Sequence, residues 1–297
     1  MARGGRKAQS AMEYLMTYGW AILIIAVVLG ALFQLGVFNA GTFAPRAPPG
    51  TCQVFRPDGP NTAQFINLEG VCSGELPQYV ATVNGFASSY VQATTAFSGN
   101  NIPFTISMWI NIPSYAPVGG FGVEAVFDQN SGSGTYQSFG PVAPNAGGPG
   151  VGFHRCDTSD TGSGFTALSP GTWYFIAGSV NYPSYYFQQD AASAIASNNG
   201  NYFVANSINM GIENGGCNGN DFIGEIANVQ LYNTSLSANE VQAIYLEGIG
   251  GAPIKLQNLV AWWPLNGNAN DYSGNNNNGV PTGVTYTNQW TSGYTSP

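Results

Sequence analysis

Residues 9–38, QSAMEYLMTYGWAILIIAVVLGALFQLGVF, constrain this chain more than any other stretch. No charged side chain occurs in the 25 residues from 14 to 38. As a helix at ~1.5 Å per residue they would reach about 37 Å, beyond the ~30 Å of a bilayer core. A helix apolar on all sides is expected to be buried on all sides, in lipid or among other helices. Ser10 followed by Glu13 predicts a capping box at its start. The leader MARGGRKA carries Arg3, Arg6 and Lys7 and no acid. A secretory signal has ~7–15 apolar residues and then a small-residue cleavage site. This run is longer, and no such site follows Phe38. A plain N-terminal membrane anchor is the simpler alternative.

The order of basic leader, Gln-Ser-Ala-Met-Glu-Tyr and long apolar helix resembles the class III signal of archaeal type IV pilins. The resemblance covers about the first 40 residues. It implies that a prepilin peptidase cuts after Lys7 and Ala8 and leaves Gln9 as the new N-terminus. Glu13 then becomes the fifth mature residue, where the family carries a glutamate. The resemblance implies that Glu13 pairs with the free amine of a neighbouring Gln9 in a filament. A first-turn carboxylate is also favourable at any helix N-terminus, and both readings stay open. The implied partners are the peptidase, the pilus assembly machinery, the membrane and further copies of the chain.

Taking away residues 1–8 as leader, 9–40 as helix and 41–50 as a Pro-rich linker leaves about 247 of the 297 residues. That suffices for one large all-β domain. Charged residues are 7% of the chain and the net charge is −8, so nucleic-acid binding is disfavoured for want of a basic footprint. An acidic exterior with many Asn, Ser and Thr fits a cell surface. Four cysteines, Cys52, Cys72, Cys156 and Cys217, form no CxxC pair, and His154 is the sole histidine, so a zinc site is disfavoured. Exported thiols usually oxidise. Of three possible pairings, Cys52 with Cys72 and Cys156 with Cys217 are favoured, free buried thiols being the alternative. Residues 51–78 read as a hairpin-like segment around a Pro-Asp-Gly turn at 57–59.

From residue 79 the pattern is of repeated short strands, which predicts an antiparallel β-sandwich. In TISMWINI, Ile106, Met108, Ile110 and Ile112 share one face and Thr105, Ser107, Trp109 and Asn111 the other. WYFIAGSV, at 173–180, is apolar on both faces, as in an inner strand. In EIANVQLYN, Ala227, Val229 and Leu231 alternate with Asn228, Gln230 and Tyr232. SLSANEVQAIYLEG predicts a helix capped by Ser237 and Glu240 and stopped at Gly248. Asn233-Thr234-Ser235 is an N-glycosylation sequon, or else an unmodified turn.

GFASSYVQ (85–92), FTISMWI (104–110), SPGTWYFIAGSV (169–180) and FIGEIANVQLYNTSLSANEVQAIY (222–245) resemble the LamG-like, concanavalin A-like lectin and glucanase fold. LVAWWPLNGNANDYSGNNNNG, 259–279, resembles that family's opening strand but lies at the C-terminus. Only 39 residues follow Asn258, too few for another sandwich. A circularly permuted domain is therefore expected, rather than a truncated second copy, with 260–265 pairing into the sheet and Pro264 at an edge or bulge. The resemblance raises calcium as a cofactor, because some members bind it at the sandwich rim. Asp271 and Asp221 are the candidate ligands and Asp157 and Asp160 the weaker ones, with solvated turn residues as the alternative.

Glycan binding needs an aromatic platform, which Tyr182, Tyr185 and Tyr186 offer, unless they serve as core or interface residues. No sugar-binding residue is identified beyond that. Hydrolysis needs two carboxylates ~5–5.5 Å apart for retention. Glu124 and Asp128, four apart and able to share a strand face, would sit too far apart to act together unless a bulge intervenes, which leaves a glycoside hydrolase as the less favoured reading. His154 lacks a paired nucleophile. The expected protein is a non-enzymatic, pilin-like surface subunit that inserts in the membrane and then assembles into a filament with the sandwich outside. The alternative is a membrane-anchored carbohydrate-binding monomer.

Overall fold

The computed structural model describes residues 5–34, 46–47, 52–57, 63–68, 76–85, 88–113, 125–130, 137–142, 150–155, 161–162, 165, 167–197, 203–213 and 221–297. The chain divides into two units, Met1–Phe43 and Ala44–Pro297.

In the first unit, helix α1 spans Gly5–Gln34. Because it begins at Gly5, Ser10 and Glu13 lie inside the helix of the uncut chain and form no capping box at its start. Lys7, Ala8 and Gln9 are likewise helical. The stretch 18–32, over which side chains are described, covers about 22 Å at ~1.5 Å per residue. No helix among the described residues is long and apolar enough to cross a membrane. Met16, Tyr18, Trp20, Ile22, Leu23, Ile24, Ile25, Val27, Val28 and Leu29 are all exposed. They occupy every side of the helix.

The second unit opens with a hairpin, Cys52–Pro57 pairing antiparallel with Ala63–Leu68. Arg46–Ala47 pairs in parallel with Leu76–Pro77. The turn at 58–62 and Cys72, Cys156 and Cys217 lie outside the described residues, as does the side chain of Cys52, so both expected disulfides fall there too.

Two antiparallel sheets follow. Their strands are β1 (Val80–Asn84), β2 (Tyr90–Thr94), β3 (Phe104–Asn111), β4 (Phe127–Asn130), β5 (Gln137–Val142), β6 (Gly150–Arg155), β7 (Thr161–Gly162) and β8 (Trp173–Asn181). Then come β9 (Ser184–Gln189), β10 (Ala192–Ser197), β11 (Ser207–Met210), β12 (Ile223–Tyr232), β13 (Leu259–Trp263), β14 (Val280–Thr282) and β15 (Thr285–Thr287). One sheet has the order β7-β6-β5-β4-β11-β2-β14. The other runs β10-β9-β8-β3-β12-β1-β15, with β13 also paired to β12.

The alternation in β3 is realised as read. Ile106, Met108, Ile110 and Ile112 enter the core between the sheets, and Trp109 enters a second core on the opposite face. Across the first core stand Phe127, Phe139, Phe153, Ile208 and Met210 of the seven-stranded sheet. Phe139 and Phe153 press against β8 where it has no side chain. A Cβ on Gly178 would lie 2.7 Å from Phe153 and 2.8 Å from Phe139, so only glycine fits.

The second core closes the other face of the eight-stranded sheet. Its lid is helix α2 (Ala238–Leu246) together with the C-terminal residues. Ser237 and Glu240 form the expected capping box, Val241 and Ile244 are buried, and Gly248 follows with φ +81. Trp290 Nε1 donates to Pro77 O at 3.1 Å, and Trp173 Nε1 donates to Trp290 O at 2.9 Å. These bonds tie the C-terminal turn to the Leu76–Pro77 strand and to β8.

β12 departs from simple alternation. The register with β3 shifts between Ala227 and Gln230, and Asn228 has φ +52. This bulge places Ala227 in the second core and Val229 in the first, whereas uninterrupted alternation would put both on one face. Below the bulge β12 pairs with β1 (Ile226↔Ala81), and above it with β13 (Val229↔Trp263). Pro264, just past β13, accepts from the Asn228 N–H at 3.1 Å, so its missing donor falls at the bulge.

The Asp190 turn after β9 carries a pH dependence. Its Oδ1 accepts from Phe175 N at 2.8 Å, yet burial pushes the carboxyl up from 3.8 to about 6. Burial also pushes Asp221 and Glu225 up. A raised carboxyl contributes stability that is complete below its unfolded pKa and is lost as pH rises through the folded one. Asp190→Asn, which keeps the acceptor, is therefore expected to be neutral at pH 4. At pH 7.5 it should stabilise by on the order of 1 kcal/mol, solvent screening holding the effect below ~1.4 kcal/mol per pKa unit. Urea melts at the two pH values measure it, and equal effects at both would contradict the assignment.

Candidate functional site

In β2, β11, β4 and β5 the residues that flank each core side chain must face away from the core. Val91 and Ala93 are in the core, as are Ile208, Met210, Phe127 and Phe139. Gln92, Asn209, Asp128 and Ser138 therefore lie on the outer face of the seven-stranded sheet. They are directly opposite one another: Gln92↔Asn209, Asn209↔Asp128 and Asp128↔Ser138, with Ser138↔His154 continuing the row into β6.

Each end of the row is hydrogen-bonded. Gln92 Nε2 donates to Asn209 Oδ1 at 3.2 Å, and Ser138 Oγ donates to Asp128 Oδ1 at 3.0 Å. Asn209, Asp128 and Ser138 are wholly buried. Asn209 Nδ2 is buried without a partner among the described residues. Such an orphan donor costs ~1–3 kcal/mol. Two residues along from Ser138 and His154, Gly140, Gly152 and Gly162 stand opposite one another across β5, β6 and β7. Three glycines in register put no side chain on this part of the outer face, and Gly140 and Gly152 are themselves buried. The result is a polar row with one carboxylate, beside a floor that has no side chains.

Residues 84–242 match the Laminin_G_3 family, the concanavalin A-like lectin/glucanases superfamily. The chain belongs to that superfamily. Its fold is similar to that of a Bacteroides ovatus protein assigned as carbohydrate-binding, at 12% identity and TM-score 0.52, over 76% of this chain and 66% of that one. It is also similar to the extracellular region of zebrafish Gpr126/Adgrg6, at 13% identity and TM-score 0.50, over 79% of this chain and 30% of that one. The chain thus spans just under two thirds of the first protein and under a third of the second. No curated protein sequence matches it.

This concanavalin A-like sandwich disperses the three tyrosines named from the sequence. Tyr185 is buried between the sheets against Phe153, and Tyr186 faces the second core, where its hydroxyl donates to Gln188 Oε1 at 2.9 Å. Tyr182 packs at the edge of the first core. They form no common platform. Glu124, Asp157 and Asp160 lie outside the described residues, as does the His154 side chain. Asn233 is exposed and its Oδ1 accepts from Asn258 Nδ2 at 3.0 Å.

Among the described residues, no group of three or more His, Cys, Asp or Glu converges as a metal site. Asp221 Oδ1 accepts from Glu213 N at 3.0 Å. Asp271 is buried and committed to a loop. Its Oδ1 accepts from Trp262 N at 2.9 Å and Ser273 N at 2.8 Å, and its Oδ2 from Ser273 Oγ at 2.9 Å and Asn277 N at 2.8 Å. Asn275 and Asn277 Nδ2 donate in turn to Val260 O at 2.9 and 2.8 Å. The loop thereby seals the free side of β13.

Gln92, Asn209 and Ser138 were not singled out from the sequence. The signal for each was a polar residue between two core-facing ones, but which of those polar positions align depends on strand order. For Asp271→Ala we expect a loss of roughly 3 kcal/mol, from several buried donors left unpaired. That is about 6–12 °C of melting midpoint for a domain this size. Scanning calorimetry with and without EDTA tests it. A midpoint that falls on chelation of the wild type would instead make Asp271 part of a cation site.

Proposed function

We propose that this chain is a cell-surface protein whose sandwich binds a carbohydrate on the outer face of the seven-stranded sheet. The observation that carries the reading is the row Gln92–Asn209–Asp128–Ser138 with its orphan Asn209 donor beside the glycine floor. A sugar ring presents hydroxyls that accept from an amide and donate to a carboxylate. The similarity to the Bacteroides ovatus protein supports the same ligand class. We read the site as binding rather than hydrolytic, since hydrolysis requires two flanking carboxylates. Glycan-array probing of the full chain tests this. Asn209→Ala is expected to weaken the bound glycan at least tenfold, ~1.4 kcal/mol, with a melting midpoint no lower than that of the wild type. Binding that survives both Asn209→Ala and Gln92→Ala would remove the site from the reading.

The N-terminal unit fits a pilin-like role. Exposed apolar side chains on every side of α1 suit a helix that rests in lipid and then packs among copies of itself in a filament core. The C-terminal strand β13 is, in this reading, the opening strand of a permuted sandwich. Processing by a prepilin peptidase predicts surface material that begins at Gln9. N-terminal sequencing of that material checks it, and an intact leader would favour the membrane-anchored monomer.

A further inference from the structure

Strand edges invite pairing with other chains unless something blocks them. Most edges of this sandwich are blocked. β7 has two residues, β15 has three, and β14 has three with Pro281 at its centre. β13 is sealed by the 271–277 loop, whose Asn275 and Asn277 side chains take up the Val260 carbonyl. β10 differs. It is six residues long, Ala-Ser-Ala-Ile-Ala-Ser, with no proline and no charge. Among the described strands it pairs only with β9. Ile195, at its middle, is 80% exposed.

We propose that β10 is a self-association edge, and that its occupant is β10 of a second copy, running antiparallel about a two-fold axis normal to the sheet. The chain carries a net charge of −8, so two copies repel in general. β10 adds no charge to that repulsion, and its alanines and serines let two backbones approach. A two-fold axis normal to the sheet keeps like faces together, so only registers that pair residues of the same parity are allowed. The register that centres Ile195 on its own copy also pairs Ser193 with Ser197 and Ala194 with Ala196. Ile195 stands opposite Tyr186 within its own sheet. The pairing therefore builds a continuous stripe, Tyr186, Ile195, Ile195 of the copy and Tyr186 of the copy. It covers the most exposed large apolar side chain of the sandwich. The two eight-stranded sheets become one.

Directly opposed residues of antiparallel strands have Cα atoms about 4.5–5.5 Å apart, within disulfide range. In the full chain, Ile195→Cys oxidised with copper phenanthroline is expected to give a peptide linked 195 to 195, identified by mass spectrometry apart from the native cysteines. Ser193→Cys alone should link to itself at least tenfold less. A mixture of Ser193→Cys and Ser197→Cys should give the 193-to-197 link. These positions are on the surface, and an unchanged melt verifies each variant's fold. The proposal fails if 195-to-195 linkage is absent or no greater than the 193 self-link. The readout is the identity of the linked pair, so it does not depend on whether α1 assembles or the outer face binds sugar.

Discussion

The bulge at Asn228 is the constraint on which the sandwich depends. β12 is ten residues long and must serve two neighbours along one edge, β1 below and β13 above. A regular strand would keep one face and one direction throughout. The extra residue turns the strand, and Asn228 takes the left-handed φ of +52 that Asn tolerates better than most side chains. Both ends of its buried amide are engaged. Nδ2 donates to Gly251 O at 2.9 Å, and Oδ1 accepts from Gln230 Nε2 at 3.0 Å and Trp262 Nε1 at 2.7 Å. Tyr232 extends the network through its hydroxyl to Gln230 Oε1 at 2.7 Å. The side chain that makes the bulge affordable is thus also the one that receives β13.

The second core follows from this. Trp262 reaches Asn228 from β13, while Trp263 on the same strand enters the core between the sheets. One short strand therefore bridges both cores. Burying a large apolar side chain is worth ~1.5–3 kcal/mol, and a domain's whole stability is ~5–15 kcal/mol. Trp262, Trp263 and Leu265 together represent a large part of that, so the last 39 residues are structural. Glu240 adds little by comparison. Its hydrogen bond to Lys255 at 2.8 Å holds its carboxyl down at about 2, but both side chains are near a third exposed, where such pairs are worth ~0–1 kcal/mol.

Alternation made the strands legible. β3, β8 and the capped helix α2 could be read from residue type alone, because periods of 2 and 3.6 are local properties. The bulge was not legible. ANVQ alternates perfectly well as written, and only the need to serve two neighbours forces the turn at Asn228. The role of Asp271 stayed open between two readings for a similar reason. An Asp among asparagines and glycines suits a cation loop and a hydrogen-bonded loop equally, and what separates them is whether β13 lies close enough to supply Trp262 N–H. The outer-face row shows the same limit. Gln92, Asp128, Ser138 and Asn209 are scattered over more than a hundred residues, and strand order alone brings them into line.

The two buried polar centres can be told apart by how completely they are satisfied. Asp271 sits among four donors that point at both its oxygens, which is what a residue selected to hold a loop should show. At Asn209 the oxygen is engaged by Gln92, but the amide donor is buried with nothing among the described residues to receive it. Asn209 Nδ2 shares this state, among the described residues, with Ser107 Oγ and Trp109 Nε1 of the other sheet, but it alone lies in the outer-face row. A serine or alanine at position 209 would remove the orphan at no cost to the core, since the side chain points away from it. Sites that break local consistency in this way are where a chain keeps something other than stability. An acceptor brought by a ligand would cancel the ~1–3 kcal/mol that the unpaired amide costs. The same deficit that makes Asn209 a poor structural residue is what the proposed binding reading draws on.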